Sequence, residues 1–241
     1  MLVDKKALEI IDRVDFDFST IAGNISGLSK AGWIMRSICT DRVIARFLEK
    51  HPQATVVNIG CGLDTTFDRI DNGRLHWYDL DLPDVIALRK KFIPENSRWK
   101  FLSASFLEDG WRKEIQPPGQ VLFIAAGVFY YFREDEIKGF FRKLADEFPG
   151  GEKLFDTNSP LGVKTANRMV VRQAGMDERS FLRRGLDRPA ELLAWDSRFE
   201  LLDTIFYFGD RRLSLGTRIL GCVSDSLKIQ YMVHLGLGKC G

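Results

Sequence analysis

The sequence predicts an α/β fold: a seven-stranded, mostly parallel sheet whose last strand runs antiparallel. Three observations carry this. Residues 55–60 form a short apolar, β-branched run that ends in Gly60-Cys61-Gly62 and then a helix start. A second such run, residues 75–80, leads into Asp81, nineteen residues past Gly62. A strand, a tight glycine turn, a helix and an acid at the next strand's end make a nucleotide-binding half-fold. Finally, five strand–helix units are followed by two long β-like runs, 198–208 and 228–235, where a dinucleotide dehydrogenase would repeat its βαβ unit.

The elements follow in order. Residues 4–14 have amphipathic helical spacing, and 15–29 read as a mixed loop. Helical spacing returns over 30–50, with Ile34, Ile38, Ile44, Phe47 and Leu48 on one stripe, and Pro52 stops it. After strand 55–60 a helix starts at Asp64 or Thr65, where Thr65-x-x-Asp68 reads as a capping box. Strand 75–80 comes next, and Pro83 opens a helix over 84–91. A strand at 99–103 precedes Val121-Leu-Phe-Ile-Ala-Ala126, apolar throughout as a central parallel strand should be. A helix over 133–147 opens with acids that suit its positive end. Gly150-Gly151 turns into strand 152–157, and 159–195 holds helical segments without a clear strand. The whole reads as one domain, 1–241, with a helical cap at 1–52 and a helical lid insertion at 159–195.

Composition narrows the function classes. A net charge of +2 without a long basic run argues against a dedicated nucleic-acid binder. No apolar stretch is long enough to span a membrane, and the first residues lack the apolar core of a secretory signal. The four cysteines, at 39, 61, 222 and 240, form no CxxC pair and read as reduced thiols in a cytoplasmic protein. The histidines at 51, 76 and 234 are scattered, so no metal site is expected.

The glycine turn is the informative part. A dinucleotide loop wants G-x-G-x-x-G, but here Thr65 stands where the third glycine belongs. A carboxylate at Asp64 repels a pyrophosphate and suits a ligand with an ammonium group. S-adenosyl-L-methionine is such a ligand, with an amino group, a carboxylate, a sulfonium, a ribose and an adenine but no phosphate. Asp81 then accepts hydrogen bonds from the ribose hydroxyls, and Asp79, one alternation away on the same sheet face, is its rival. The plainer alternative is a tight turn in which Asp64 caps the following helix and Asp81 caps the one behind Pro83.

These residues resemble a known family. Val57-Asn-Ile-Gly-Cys-Gly-Leu-Asp-Thr-Thr-Phe, followed by Trp77-Tyr-Asp-Leu-Asp-Leu-Pro-Asp-Val-Ile, is similar to the leucine carboxyl methyltransferase family, and most to its bacterial polyketide-type O-methyltransferases. The resemblance is good over residues 30–135 and holds in outline beyond. It implies a Rossmann-like class I methyltransferase fold and S-adenosyl-L-methionine as cofactor. It also implies a cofactor-binding set of Arg36, Gly60, Cys61, Gly62, Asp64, Asp81, Leu82, Ser105, Phe106 and Ala126. In it Arg36, from Gly32-Trp-Ile-Met-Arg36, pairs with the donor's carboxylate. Two positions depart from the family pattern: Ser105 stands where an aspartate is common beside the adenine, and Ala126 replaces an acid after the fourth strand.

The implied reaction is an O-methylation of a small polyketide-like or aromatic molecule, at a carboxylate or a phenol. A carboxylate needs no general base, a phenol does, and no obvious base is present, so no catalytic residue is named. The acceptor pocket belongs at the carboxyl ends of the fourth and fifth strands, with Phe129, Tyr130, Tyr131 and Asn158. The lid adds Met169, Val170, Val171, Met176, Phe181 and Leu182, with arginines at 168, 172, 179, 183 and 184. A monomer or homodimer is expected. A catalytically inactive adenosyl-ligand binder and an NAD-dependent oxidoreductase are the alternatives.

Overall fold

The computed structural model describes residues 2–19, 23, 25–116, 119–168 and 181–238. Seven strands form one sheet: β1 Thr55–Ile59, β2 His76–Asp81, β3 Trp99–Ser103, β4 Val121–Ala125, β5 Glu152–Thr157, β6 Glu200–Ile205 and β7 Tyr231–Gly236. Their spatial order is β3-β2-β1-β4-β5-β7-β6. The first five pair in parallel. β7 slots between β5 and β6 and runs antiparallel to both. The strand order reverses between β1 and β4, both buried along their whole length. That reversal opens a crevice at their carboxyl ends, where open α/β sheets bind ligands.

The helices are α1 Lys5–Arg13, α2 Gly27–Lys50, α3 Thr66–Ile70, α4 Pro83–Arg89, α5 Glu134–Glu147, α6 Pro160–Ala166 and α7 Leu215–Ser226. Each start has a local cause. Asp4 accepts from the Ala7 amide at 2.9 Å and opens α1. Ser26 accepts from the Ser29 amide at 3.1 Å, so α2 begins within the stretch read as a loop. Its buried stripe runs through Met35, Ile38, Val43, Ile44, Phe47 and Leu48, while Ile34 faces outward. Pro83 occupies the first turn of α4. Glu136 accepts from the Arg133 amide at 2.8 Å ahead of α5.

The capping expectation at Thr65 fails: it makes no capping bond to α3. Its hydroxyl instead donates to Asp4 at 2.6 Å, and Asp64 takes over the helix end by accepting from the Thr66 amide at 3.2 Å. The connection between the two last strands holds α7. Its inward face carries Gly221, where an added Cβ would sit 2.1 Å from the Phe208 ring. Its apolar residues Leu215, Ile219, Leu220 and Val223 face outward. The apolar pattern therefore does not mark the packed side of this helix.

The sheet separates two apolar layers. One, under α5, contains Phe123, Phe129, Phe140, Phe141, Phe155 and Trp195. The other, under α2, contains Met35, Ile44, Val56, Trp77, Ile124 and Leu154. Among the described residues no helix is long and apolar enough to cross a membrane.

Lys153 of β5 is fully buried in the first layer. Its Nζ lies 3.4 Å from the Phe141 ring centroid, 4.2 Å from that of Phe140 and 4.5 Å from that of Phe129, and makes no hydrogen bond. The ring faces attract the ammonium, but burial dominates and drives the amine well below the ordinary lysine value. The unfolded chain then binds a proton that the folded chain does not, so stability rises with pH until the ordinary value of about 10.4. Urea unfolding of native protein and Lys153→Met at pH 7 and pH 9.5 checks this. The variant is expected to be the more stable at pH 7 and to show the flatter pH dependence. A native protein no more pH-sensitive than the variant would contradict it.

Candidate functional site

The glycine turn is held from three sides. Leu80 of β2 accepts from the Gly60 amide at 2.8 Å and the Cys61 amide at 3.3 Å. Asp81 Oδ2 accepts from the Gly62 amide at 2.8 Å, and Oδ1 from the Leu82 amide at 2.8 Å. Arg89 of α4 donates to the Gly62 carbonyl at 3.0 Å. Gly60 and Gly62 both have left-handed backbone angles, φ 65° and 50°, which glycine adopts without a Cβ penalty. A Cβ on Gly60 would also lie 2.5 Å from Val128.

Arg89 is itself fixed by Asp79 at 2.6 Å, a pair buried almost completely. Asp79 further accepts from the indole N–H groups of Trp77 at 2.8 Å and Trp99 at 2.6 Å, and from Asn58 at 3.2 Å. Burial pushes the Asp79 carboxyl upward, and Arg89 and the two indoles pull against it. With four donors and no exposure, Asp79 is not free to meet a ligand. The choice between the two acids is thus made by depth: Asp79 is a buried anchor, and Asp81 stands at the strand's end.

Beside the turn lies a cavity of about 220 Å³ at the carboxyl ends of β1, β2 and β4. Of the residues proposed from sequence, Gly60, Asp81, Leu82, Ser105, Phe106 and Tyr131 line it. Gly127 and Val128, which the sequence reading passed over, line it too. Gly127 has a left-handed φ of 84°, and a glycine just past an apolar strand was the signal the sequence offered. Among the described residues lining it, Asp81 is the one carboxylate, and none is a lysine, arginine or histidine. Ser105 Oγ accepts from the Leu107 amide at 3.3 Å and shapes the turn after β3.

Several proposed residues lie elsewhere. Cys61 is buried in the α2 layer, and burial pushes its thiol upward. Gly62 and Asp64 support the turn from outside the cavity: Asp64 accepts from Asn58 at 3.0 Å as well as from Thr66. Ala126 is not in the cavity wall. Phe129, expected in the acceptor pocket, is core instead, edge-on to Phe106, Phe141 and Phe155. Asn158 is buried, donating to the Ile229 carbonyl at 2.7 Å, with its Oδ1 unpartnered.

Arg36 reaches from α2 to the far side of Gly127, within 3.4 Å of where a Cβ on Gly127 would stand. It pairs with Asp156 of β5 at 2.8 Å, and its charge works against the upward shift of the Tyr130 phenol. Burial works against the Arg36 charge, but Asp156 together with the Tyr130 and Tyr207 phenols outweighs it, and the guanidinium is held firmly protonated. Tyr130 and Tyr131 stack edge to face at 4.8 Å. Burial raises both phenols, so at neutral pH each holds its proton.

Tyr130 packs with Leu182, Phe181, Tyr131, Val163 and Ala166 in a small apolar cluster of its own. The returning chain is tied over it: the amides of Arg183 and Arg184 donate to the Tyr130 carbonyl at 2.7 and 3.2 Å. Arg184 lies 4.7 Å over the Trp195 ring and pairs with Glu134. Met169, Val170, Val171, Arg172, Met176 and Arg179 lie outside the described residues.

Asp79→Ala and Asp81→Ala separate the two acids. Removing Asp79 leaves Arg89 buried and unpaired, which costs about 3–5 kcal/mol. Removing Asp81 frees two amides that water can reach, at about 1 kcal/mol. Urea unfolding of both variants reads the difference, and equal losses would contradict the assignment.

Comparison with known proteins gives the family. The leucine carboxyl methyltransferase family profile matches residues 2–145. The chain is 31% identical over 167 residues to the tetracenomycin polyketide synthesis O-methyltransferase TcmP of Streptomyces glaucescens, covering 69% of this chain and 61% of that protein. It thus spans about three fifths of that curated relative. Among solved structures, a DUF574-family protein of Streptomyces avermitilis superposes with a TM-score of 0.59 at 14% identity, over 86% of this chain and 82% of that one. The magnesium protoporphyrin IX methyltransferase of Synechocystis, solved with SAH bound, gives 0.53 at 12% identity, over 96% and 94%. These two share the fold with it. The motif-bearing half of the sequence and the reversed strand order agree: the chain belongs to the leucine carboxyl methyltransferase family.

Proposed function

We propose that this protein is an S-adenosyl-L-methionine-dependent O-methyltransferase whose acceptor is a carboxylate or phenol on a small, partly aromatic molecule. The observation that carries the reading is the cavity wall. Among its described residues it offers one carboxylate, Asp81, with apolar and aromatic surface and no cation. That donor set suits an adenosyl group and not a pyrophosphate, which removes the main support for a nicotinamide cofactor. When bound, the donor supplies a methyl group activated by its sulfonium.

The chain's own residues bind and orient. Asp81 accepts from the ribose hydroxyls, and its hold on the Gly62 amide keeps the turn open beside it. Ser105 and Phe106 flank the adenine, with Phe106 itself fixed by Phe132 at 4.6 Å and Phe140 at 4.9 Å. Arg36 faces the donor's carboxylate. The acceptor lies on the Tyr130–Tyr131 side, under the strap that includes Phe181 and Leu182. The two phenols are protonated there, so they orient an acceptor by donating hydrogen bonds and do not serve as bases. An acceptor carboxylate is already ionised, so in-line attack needs only correct placement and exclusion of water. TcmP acts in polyketide synthesis, which makes polyketide-like aromatic acids the first acceptors to try. The free thiols of Cys39 and Cys61 suit a reducing, cytoplasmic setting.

Transfer of radiolabelled methyl into a panel of aromatic acids and phenols tests this. Base-labile label marks an ester, and base-stable label an ether. Tight SAH binding without any labelled product would point to an inactive ligand binder, and NAD binding without a response to SAH would overturn the reading. In calorimetry, Asp81→Ala is expected to weaken SAH binding by about 1.5–3 kcal/mol.

A further inference from the structure

Asp156 is not among the residues that the sequence brought forward, yet it joins the two sides of the site. It lies one residue before the end of β5, has no exposed side-chain surface, and accepts three hydrogen bonds. One comes from the Gly127 amide at 2.6 Å, one from Arg36 at 2.8 Å, and one from Gln230 at 3.2 Å. Gly127 lines the cavity with its left-handed backbone, and Arg36 stands directly behind it. Position 126 contributes only a methyl group, so the carboxylate that reaches this turn is Asp156, from the neighbouring strand.

We propose that Asp156 is a positioning residue for donor binding: it fixes the Arg36 guanidinium against the Gly127 turn, so that the cation meets the donor's carboxylate already oriented. This rests on the donor reading above. A free arginine side chain would lose rotamer freedom on binding. A guanidinium already held at one nitrogen loses less. The bond to Gly127 ties the same carboxylate to the cavity wall, so the arginine and the wall keep a fixed spacing. Asp156 acts through Arg36 and does not touch the donor.

The test is a double-mutant cycle read by SAH calorimetry with the full chain. Asp156→Asn keeps the shape and removes the charge. It is expected to raise the SAH Kd about tenfold or more, the range of one charge-assisted hydrogen bond. Arg36→Gln is expected to do the same. In the Arg36→Gln background, Asp156→Asn should change the Kd less than about twofold, because coupled residues are not additive. Melting temperatures, read in parallel, show whether each variant is folded. An unchanged Kd for Asp156→Asn, or the same factor in both backgrounds, overturns the proposal while the donor reading stands. A native protein that does not bind SAH removes both. If Asp156→Asn does not fold, the native 15N-labelled protein decides: the Gly127 amide and Arg36 side-chain resonances must both shift as SAH is titrated, and stationary resonances overturn it.

Discussion

The buried pair of Asp79 and Arg89 is the constraint on which the site depends. A carboxylate and a guanidinium with no exposure are costly unless every polar atom finds a partner. Asp79 meets that demand on its side with two indole N–H groups, an asparagine amide and the arginine, while Arg89 Nε is left without a partner. Arg89 carries the consequence outward by donating to the Gly62 carbonyl. Its face also lies 5.1 Å from the Phe101 ring. The glycine turn is therefore not a loose loop. Its amides are held by β2 and its last carbonyl by a helix that Pro83 and Asp79 place.

The same arrangement divides labour between two acids two residues apart. Asp79 spends its hydrogen-bonding capacity inside, whereas Asp81 accepts two backbone amides and still borders the cavity. Among the described residues lining the cavity none is a cation, and the arginine of the site stands behind Gly127 with its own carboxylate partner. Polar recognition in the described wall falls to Asp81 and to the turn that Ser105 shapes.

The acceptor side follows a different logic. Phe129 was read as pocket lining because it follows an apolar strand, but the aromatic layer around Phe140, Phe141 and Phe155 draws it inward. Tyr130 and Tyr131 remain at the boundary, where a hydroxyl can keep a polar partner and the ring can pack. Among the described residues, the chain that returns over them is fastened by the Tyr130 carbonyl and the Asn167 side chain, while Arg184 stays with Glu134 and Trp195. Lys153, buried among the rings beneath, is a polar group that this layer tolerates without a hydrogen bond.

The sequence by itself determined the strand and helix succession, the glycine turn and the family, because these are written in local terms. Apolar runs, Gly60 and Gly62, Pro83 and the Asp79–Asp81 alternation each act within a few residues. Five strands and the helices at their ends were legible for that reason. What only the tertiary structure decided are contacts between residues far apart in the chain. It selected Asp81 over Asp79 by burying one of them under α4, and gave Thr65 to Asp4 instead of to its own helix. It turned the apolar face of α7 outward, and brought Asp156 of β5 to Arg36 of α2. None of these has a local signature, since each partner is chosen by the packing of the sheet and not by its neighbours in sequence.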